Sequence, residues 1–263
     1  MIELSIIIPT HGGRTRELVR CLESVKNCNL RSYQIILVSD VHDQEISAVA
    51  EQYLGGKDYF IVRNGKPGPA ESRNLALELV EGSRVLLLDD DDALPETGYQ
   101  SFVDFALANP DKAVYGDVVI IKEDRKKGVL LPDPPERMPS TTYEFQSIYV
   151  KNFIYTPACL YPSHLIRGIK QDTHMRSFED WEFVLSVISR VEFKPLDQVV
   201  AIVYKDYINV GNRRSTTEAA RNFELVLDYL YVYRRWPAPT LDLKKKREDM
   251  LKSVGLDISA QFL

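Results

Sequence analysis

The chain has 263 residues, 44% of them hydrophobic and 27% charged, enough to bury the core of one large α/β domain or of one domain plus a modest addition. With a net charge of -5, nothing suggests the strongly basic face of a nucleic-acid-binding protein, and no stretch approaches the ~18 apolar residues of a membrane span. Three cysteines without C-x-x-C spacing argue for the reduced thiols of a cytoplasmic protein over a disulfide scaffold. Cys21 and Cys159 fall in apolar surroundings and read as small core residues. The first strand-like run begins almost at Met1, which leaves no room for a cleaved leader, so a soluble protein is expected, with attachment at a membrane surface still open.

Leu4–Ile8 is a continuous apolar run stopped by Pro9, the pattern of a strand buried on both faces. A polar loop, Thr10–Arg14, leads into a helical stripe of Leu18, Cys21, Leu22 and Val25. Strands follow at Gln34–Val38 and Tyr59–Val62, with a helix at Gln44–Tyr53 between them. Pro69–Val80 reads as a third helix, closed by Gly82 at a C′-like position. Val85–Leu88 is a fourth strand that ends in Asp89-Asp90-Asp91-Asp92. This alternation predicts right-handed crossovers and a doubly wound, mostly parallel sheet flanked by helices. Ligands of such sheets bind outside the carboxyl ends of the strands. Those ends carry Pro9-Thr10-His11, Ser39-Asp40, Arg63-Asn64 and the aspartate run.

Further along, Thr97–Leu107 reads as an amphipathic helix and Ala113–Ile121 as a strand. Lys122–Ser140, charged and then rich in proline, reads as a long functional or disordered loop. A helix is expected over Glu179–Arg190, a strand over Val199–Tyr204 and a long helix over Thr217–Arg235. The tail carries the basic run Lys244–Arg247, read as a solvated helix face with contact to anionic lipid as the alternative. Residues 1–215 are thus expected to form one α/β domain in two halves, 1–95 and 96–215, and 216–263 a helical C-terminal extension.

The aspartate run is the strongest chemical signal. Two carboxylates ~4 Å apart repel by roughly 4 kcal/mol at an effective dielectric of about 20. A hard divalent cation such as Mg²⁺ relieves that repulsion, because it takes carboxylate and phosphate oxygens together. A solvated acidic turn is the bland alternative. Extended alternation would send Asp89 and Asp91 to one side and Asp90 and Asp92 to the other. Thr10–Arg14 carries neither G-x-G-x-x-G nor a P-loop, and remains a polar loop entering a helix N-terminus that favours anions. Asp40 is placed to accept hydrogen bonds from a nucleobase, or is a turn residue. Arg73 falls in the first turns of its helix, within reach of a phosphate or base, or is an exposed salt-bridging arginine. In Phe178–Glu182, Glu179 reads as a helix N-terminal acid, and Asp180 stands beside Trp181, whose bulk would raise its pKa toward that of a useful base. The four histidines have no metal-ligand spacing.

Ser5–Thr10, Val38-Ser39-Asp40, Ala70–Asn74, Leu88–Pro95 and Phe178–Trp181, in that order, resemble the motif set of the family 2 glycosyltransferases of the GT-A fold, over roughly Ile2 to Tyr204. The resemblance implies an inverting, metal-dependent transfer of one sugar from a nucleoside-diphosphate sugar to a hydroxyl acceptor, a glycan or a lipid-linked glycan. It implies nucleoside contacts at Pro9, Thr10, His11 and Asp40 and nucleotide contacts at Arg73, Asp89 and Asp90. It also implies a Mn²⁺ or Mg²⁺ ion on Asp89 and Asp91 and a catalytic base at Asp180. Glu179, Trp181, Arg213 and Arg214 are candidate diphosphate or acceptor contacts. UDP is the donor nucleotide expected from frequency alone. The chain departs from the pattern in having one acidic residue after strand two and His-Gly-Gly after Thr10. Arg235-Trp236 makes only an incomplete processive signature. A sugar-phosphate nucleotidyltransferase and a non-catalytic nucleotide-binding domain are the alternatives.

Overall fold

The computed structural model describes residues 1–65, 67–208 and 218–263, with side chains of the last segment from 225 onward. Every residue of β1 (Leu4–Thr10) is buried, and only a strand covered on both faces can afford such a run. β2 (Tyr33–Ser39), β3 (Tyr59–Val62) and β4 (Arg84–Leu87) join it in parallel, in the order β3-β2-β1-β4. Helices α1 (Thr15–Asn27), α2 (Gln44–Tyr53) and α3 (Pro69–Leu77) supply the crossovers. The sheet continues through β8 (Cys159–Pro162), antiparallel to β4, and on to β5 (Lys112–Asp124). Two short strands, β6 (Val129–Leu130) and β7 (Glu136–Met138), and the long, parallel β9 (Glu192–Asp206) also pair with β5. The architecture is the mixed α/β sheet flanked by helices that the alternation predicts.

Alternation along the strands divides the core. Ile6 and Ile8 face α1, α2 and α4 (Tyr99–Leu107), whereas Ile7 faces α3, α6 (Glu179–Ile188), α7 (Glu218–Arg235) and α8 (Leu241–Ser253). Cys21, Cys28 and Cys159 are free thiols buried in these two layers. A short helix, α5 (Ser163–Ile166), follows β8. Among the described residues no helix is long and apolar enough to cross a membrane.

Three expectations change. The third helix stops at Leu77 rather than Val80, and Gly82 does not cap it. A Cβ on Gly82 would stand 2.5 Å from Ser5 N and 2.7 Å from Leu4 C, so this glycine lets the chain cross β1 at close range. The segment 122–140 is not a free loop, because it extends β5, turns at Gly128 and returns as β6 and β7 against the same strand. In the basic run, Arg247 is fully buried rather than solvated. Its guanidinium donates to the carbonyls of Tyr149 at 2.8 Å, Tyr233 at 3.1 Å and Trp236 at 2.6 Å, and it stacks 4.1 Å from the Tyr233 ring.

Candidate active site

In the order β3-β2-β1-β4, the chain runs from β1 outward to β3 and then crosses back to place β4 on the other side of β1, so a crevice opens between the carboxyl ends of β1 and β4. Both walls are polar there. Thr10 Oγ donates to Asp90 Oδ2 at 2.7 Å across the crevice floor. Pro9 is buried in β1, and His11 stands exposed in the following loop with Nδ1 2.9 Å from the Gly12 carbonyl oxygen.

β4 ends at Leu87, and the aspartates form a turn closed by Asp92 N–H donating to the Asp89 carbonyl at 3.1 Å. Ala93 then exchanges backbone hydrogen bonds with Ile202 of β9 at 2.9 and 2.8 Å, which fixes the turn against the second half of the sheet. The turn breaks the expected alternation. Asp92 joins Asp89 and Asp91, with one carboxylate oxygen of each lying within 4.8 Å of the others. Asp90 turns instead toward Thr10 and Arg14, whose Nη1 is 3.2 Å from Asp90 Oδ1. Burial, reinforced by the Asp91 charge, pushes Asp90 up to about 6 against the pull of Arg14 and Thr10. Burial pushes Asp92 well above the ordinary carboxylate range, with Asp91 and Asp89 adding to the shift.

Three carboxylates at this spacing fit a hard divalent cation, which takes oxygen ligands and neutralises the repulsion among them. Arginines hold the same oxygens. Arg14 Nη1 lies 3.0 Å and Arg125 Nη1 2.5 Å from Asp91 Oδ2, and Arg73 pairs with Asp89. Arg125 comes from the β5–β6 turn, where it also donates to Glu123 at 2.8 Å and to the Tyr204 carbonyl at 2.8 Å. Arg20 completes this side, pairing with Glu123 at 2.8 Å, donating to the Asp91 carbonyl at 2.9 Å and stacking 3.4 Å from the Tyr204 ring. Burial alone would raise the Glu123 pKa, yet the hydrogen bonds from Arg20 and Arg125 outweigh it and hold the carboxyl below its ordinary value. Nothing in the charged segment around Arg125 distinguishes it from its neighbours in the sequence.

Asp40 lies at the end of β2 with its side chain 7% exposed. Its Oδ2 accepts the Gly68 backbone N–H at 2.8 Å, while Oδ1 has no hydrogen-bond partner among the described residues. Arg73 is 3% exposed rather than a surface salt-bridging residue. It joins the two acidic centres, pairing with Asp89 on one side and lying 3.7 Å from Glu179 Oε1 on the other, with Gln171 accepting at 3.1 Å.

α6 opens at Glu179, after Phe178 in the left-handed conformation. Asp180 remains partly exposed, and its Oδ2 accepts from Asn152 at 3.1 Å and Thr156 at 3.5 Å. Burial and then the Glu179 charge raise its pKa to about 6, opposed by Arg73 and by the Trp181 backbone N–H. Trp181 itself is fully buried, with its indole N–H donating to the Ile148 carbonyl at 2.7 Å. It offers no surface to a substrate and anchors the helix instead. Asn152, Thr156 and Gln171 lie in segments without a sequence signature and were not among the expected site residues. Arg213 and Arg214 lie outside the described residues.

A family model for glycosyl transferase family 2 matches residues 5–162. The chain belongs to that family. It is 24% identical over 252 residues to an uncharacterised glycosyltransferase of Haemophilus influenzae, covering 88% of this chain and 83% of that one. It is also 24% identical over 193 residues to the poly(ribitol-phosphate) β-N-acetylglucosaminyltransferase TarS of Staphylococcus aureus, covering 70% of this chain but 32% of TarS. Among solved structures, TarS residues 1–349 in complex with UDP superpose with a TM-score of 0.64 at 16% identity, covering 95% of this chain and 71% of that one. A mannosyltransferase of Pyrobaculum calidifontis in complex with GDP-mannose and Mn²⁺ superposes with a TM-score of 0.57 at 12% identity, covering 89% and 63%. The GT-A fold follows from these likenesses.

Proposed function

We propose that this glycosyltransferase moves one sugar, with inversion, from a nucleoside-diphosphate sugar to a hydroxyl of a glycan or lipid-linked glycan acceptor. The observation that carries the reading is the Arg73 bridge. It holds an acidic turn suited to a donor diphosphate and its cation beside a second carboxylate, Asp180, suited to an acceptor hydroxyl. The likeness to structures that hold UDP or GDP-mannose supports a nucleotide-sugar donor. UDP is the first nucleotide to test.

Each residue then has a physical task. Asp40 Oδ1, buried and without a partner among the described residues, is an acceptor poised for a nucleobase N–H. Pro9, Thr10 and His11 line the nucleoside side of the crevice. Asp89, Asp91 and Asp92 are the residues that would hold Mn²⁺ or Mg²⁺, and the bound ion would neutralise charge on the departing diphosphate. Arg14 and Arg125, already aimed at Asp91, stand where a diphosphate oxygen could replace the carboxylate as their partner. Asp180 accepts the proton of the acceptor hydroxyl as that oxygen bonds to the anomeric carbon and the bond to the diphosphate breaks. Its pKa near 6 leaves it ionised at neutral pH yet basic enough to take a proton in the transition state.

A thermal-shift screen of nucleotide-sugars, with and without Mn²⁺, tests the donor side, because a ligand bound only by the folded state raises the melting temperature. Product analysis separates this chemistry from nucleotidyl transfer. Release of a nucleoside diphosphate supports glycosyl transfer, and release of pyrophosphate refutes it.

A further inference from the structure

The segment between the β5 region and β8 crosses behind the proposed acceptor side, and three helices grip it by consecutive backbone carbonyls. Trp181 of α6 donates to the Ile148 carbonyl at 2.7 Å, Arg247 of α8 to that of Tyr149 at 2.8 Å and Tyr233 of α7 to that of Val150 at 2.8 Å. All three donors are buried, so the path of the chain from 148 to 150 is set from below by groups that cannot reorient toward water. Two residues on, the same segment presents Asn152. Its Oδ1 accepts the Ile154 backbone N–H at 3.0 Å, which fixes the amide so that Nδ2 must face outward. That Nδ2 donates to Asp180 Oδ2 at 3.1 Å.

We infer that Asn152 is a positioning residue for the Asp180 carboxylate, and that the two C-terminal helices serve the reaction by holding the loop that carries it. The inference rests on the reading of Asp180 as the base. The two oxygens of Asp180 are not equivalent. Oδ2 is occupied by Asn152 with Thr156 at 3.5 Å, while no side chain among the described residues bonds Oδ1. A carboxylate held this way keeps one oxygen on Asn152 and leaves the other without a side-chain partner among the described residues, toward the proposed acceptor side. Neutral donors on Oδ2 also favour the ionised form. They work alongside the charges that face Asp180 from its other neighbours, Glu179 on α6, Arg73 on α3 and Asp89 after β4, with the Tyr161 hydroxyl on β8.

The test compares Asn152→Ala and the isosteric Asn152→Asp with the unaltered enzyme across a pH series, with calorimetric donor binding as the control. Both variants should bind donor with unchanged affinity and lose about tenfold in kcat at pH 7, the scale of a misplaced general base. The acid limb of kcat/KM should move up by about half a unit in Asn152→Ala and further in Asn152→Asp, where a second carboxylate faces the first. A merely structural role would lower the melting temperature without moving that limb. Should Asn152→Ala fail to fold, Asn152→Asp carries the same reading. An unmoved acid limb in the Asp variant, beside an inactive Asp180→Asn enzyme, overturns the positioning role alone. An active Asp180→Asn enzyme overturns the base and the positioning role together.

Discussion

The Arg73 guanidinium donates to the Asp89 carboxylate from a position that is 3% exposed, at the junction of the two acidic centres. Its other neighbours, Glu179 Oε1 at 3.7 Å and Gln171 Oε1 at 3.1 Å, come from the second half of the chain. One side chain thus fixes how far the β4 turn stands from the start of α6 and, on the proposed reading, how far the donor side stands from Asp180.

Removing it should cost both stability and chemistry. Arg73→Ala removes the cation between Asp89 and Glu179, and losing the buried member of such a partly exposed pair costs on the order of 2 kcal/mol. Arg73→Lys keeps the charge but loses the planar fork that spans two carboxylates. Urea denaturation should place the Ala variant well below the Lys variant in midpoint, with turnover reduced in both. Equal midpoints for Ala and the unaltered protein would show that the bridge holds nothing together.

The pH dependence has a defined sign. Asp180 is raised to about 6 from an unfolded value of about 3.9. On the proposal that Asp180 is the base, it must be ionised, so kcat/KM should fall on an acid limb near pH 6. For stability the same shift acts in the opposite sense. The protonated form is favoured by folding, and this contribution is fully present below about pH 4 and lost as pH rises through 6. Asp180→Asn should therefore be inactive yet raise the melting temperature at pH 7.5, with the gain vanishing near pH 4. Calorimetric scans at the two pH values check this, and a variant less stable than its parent at pH 7.5 contradicts it.

Gly82 offers a test far from the chemistry. Its backbone N–H donates to Ser5 Oγ at 2.8 Å, and an added methyl would meet the backbone of Leu4 and Ser5. β1 is central to the sheet and cannot retreat. Gly82→Ala should cost up to about 3 kcal/mol, the upper end for overpacking. A helix C′ role would predict strain from a left-handed backbone instead, and Gly82 is not among the glycines with positive φ. A denaturant midpoint within error of the parent would mean the chain crossing relaxes freely.

What could be read from the sequence follows a physical divide. Continuous apolar runs ending in polar residues announce buried parallel strands, so β1 to β4 and the crevice residues Thr10, Asp40 and Asp89 were visible without a structure. Asp180 drew attention because Trp181 stands beside it and because Phe178–Trp181 resembles a family motif, since an acidic helix start alone reads as a structural N-terminal acid. Relationships set by turns and long-range packing were not. The turn at Asp90-Asp91 brings Asp92 to the side of Asp89 and Asp91, where alternation alone leaves it opposite them with Asp90. Arg125 and Arg247 sit in charged stretches typical of solvated surface, and only the folded chain shows their multiple acceptors. Asn152 carries no pattern at all, since its partner is 28 residues away across a loop.

The move of Asp92 to the side of Asp89 and Asp91 sets up the last prediction. If the cation is held by Asp89, Asp91 and Asp92, then Asp92→Asn should abolish the Mn²⁺-dependent rise in melting temperature. Asp90→Asn should keep it, because an amide can still accept from Thr10. Arg125 supplies the complementary variant. Its pairing with Asp91 competes with any cation for the same oxygen, and a partly exposed pair of this kind is worth roughly 1 kcal/mol. Arg125→Ala should therefore tighten Mn²⁺ binding about fivefold, measured by calorimetry on the protein without donor. The same variant should bind a nucleoside diphosphate more weakly once Mn²⁺ is present, because the guanidinium released from Asp91 is no longer there to meet the phosphates. Tighter metal binding with unchanged diphosphate affinity would confine Arg125 to holding the acidic turn together. A Mn²⁺ response kept in both Asp90→Asn and Asp92→Asn would return the ligand set to Asp89 and Asp91, as simple strand alternation has it.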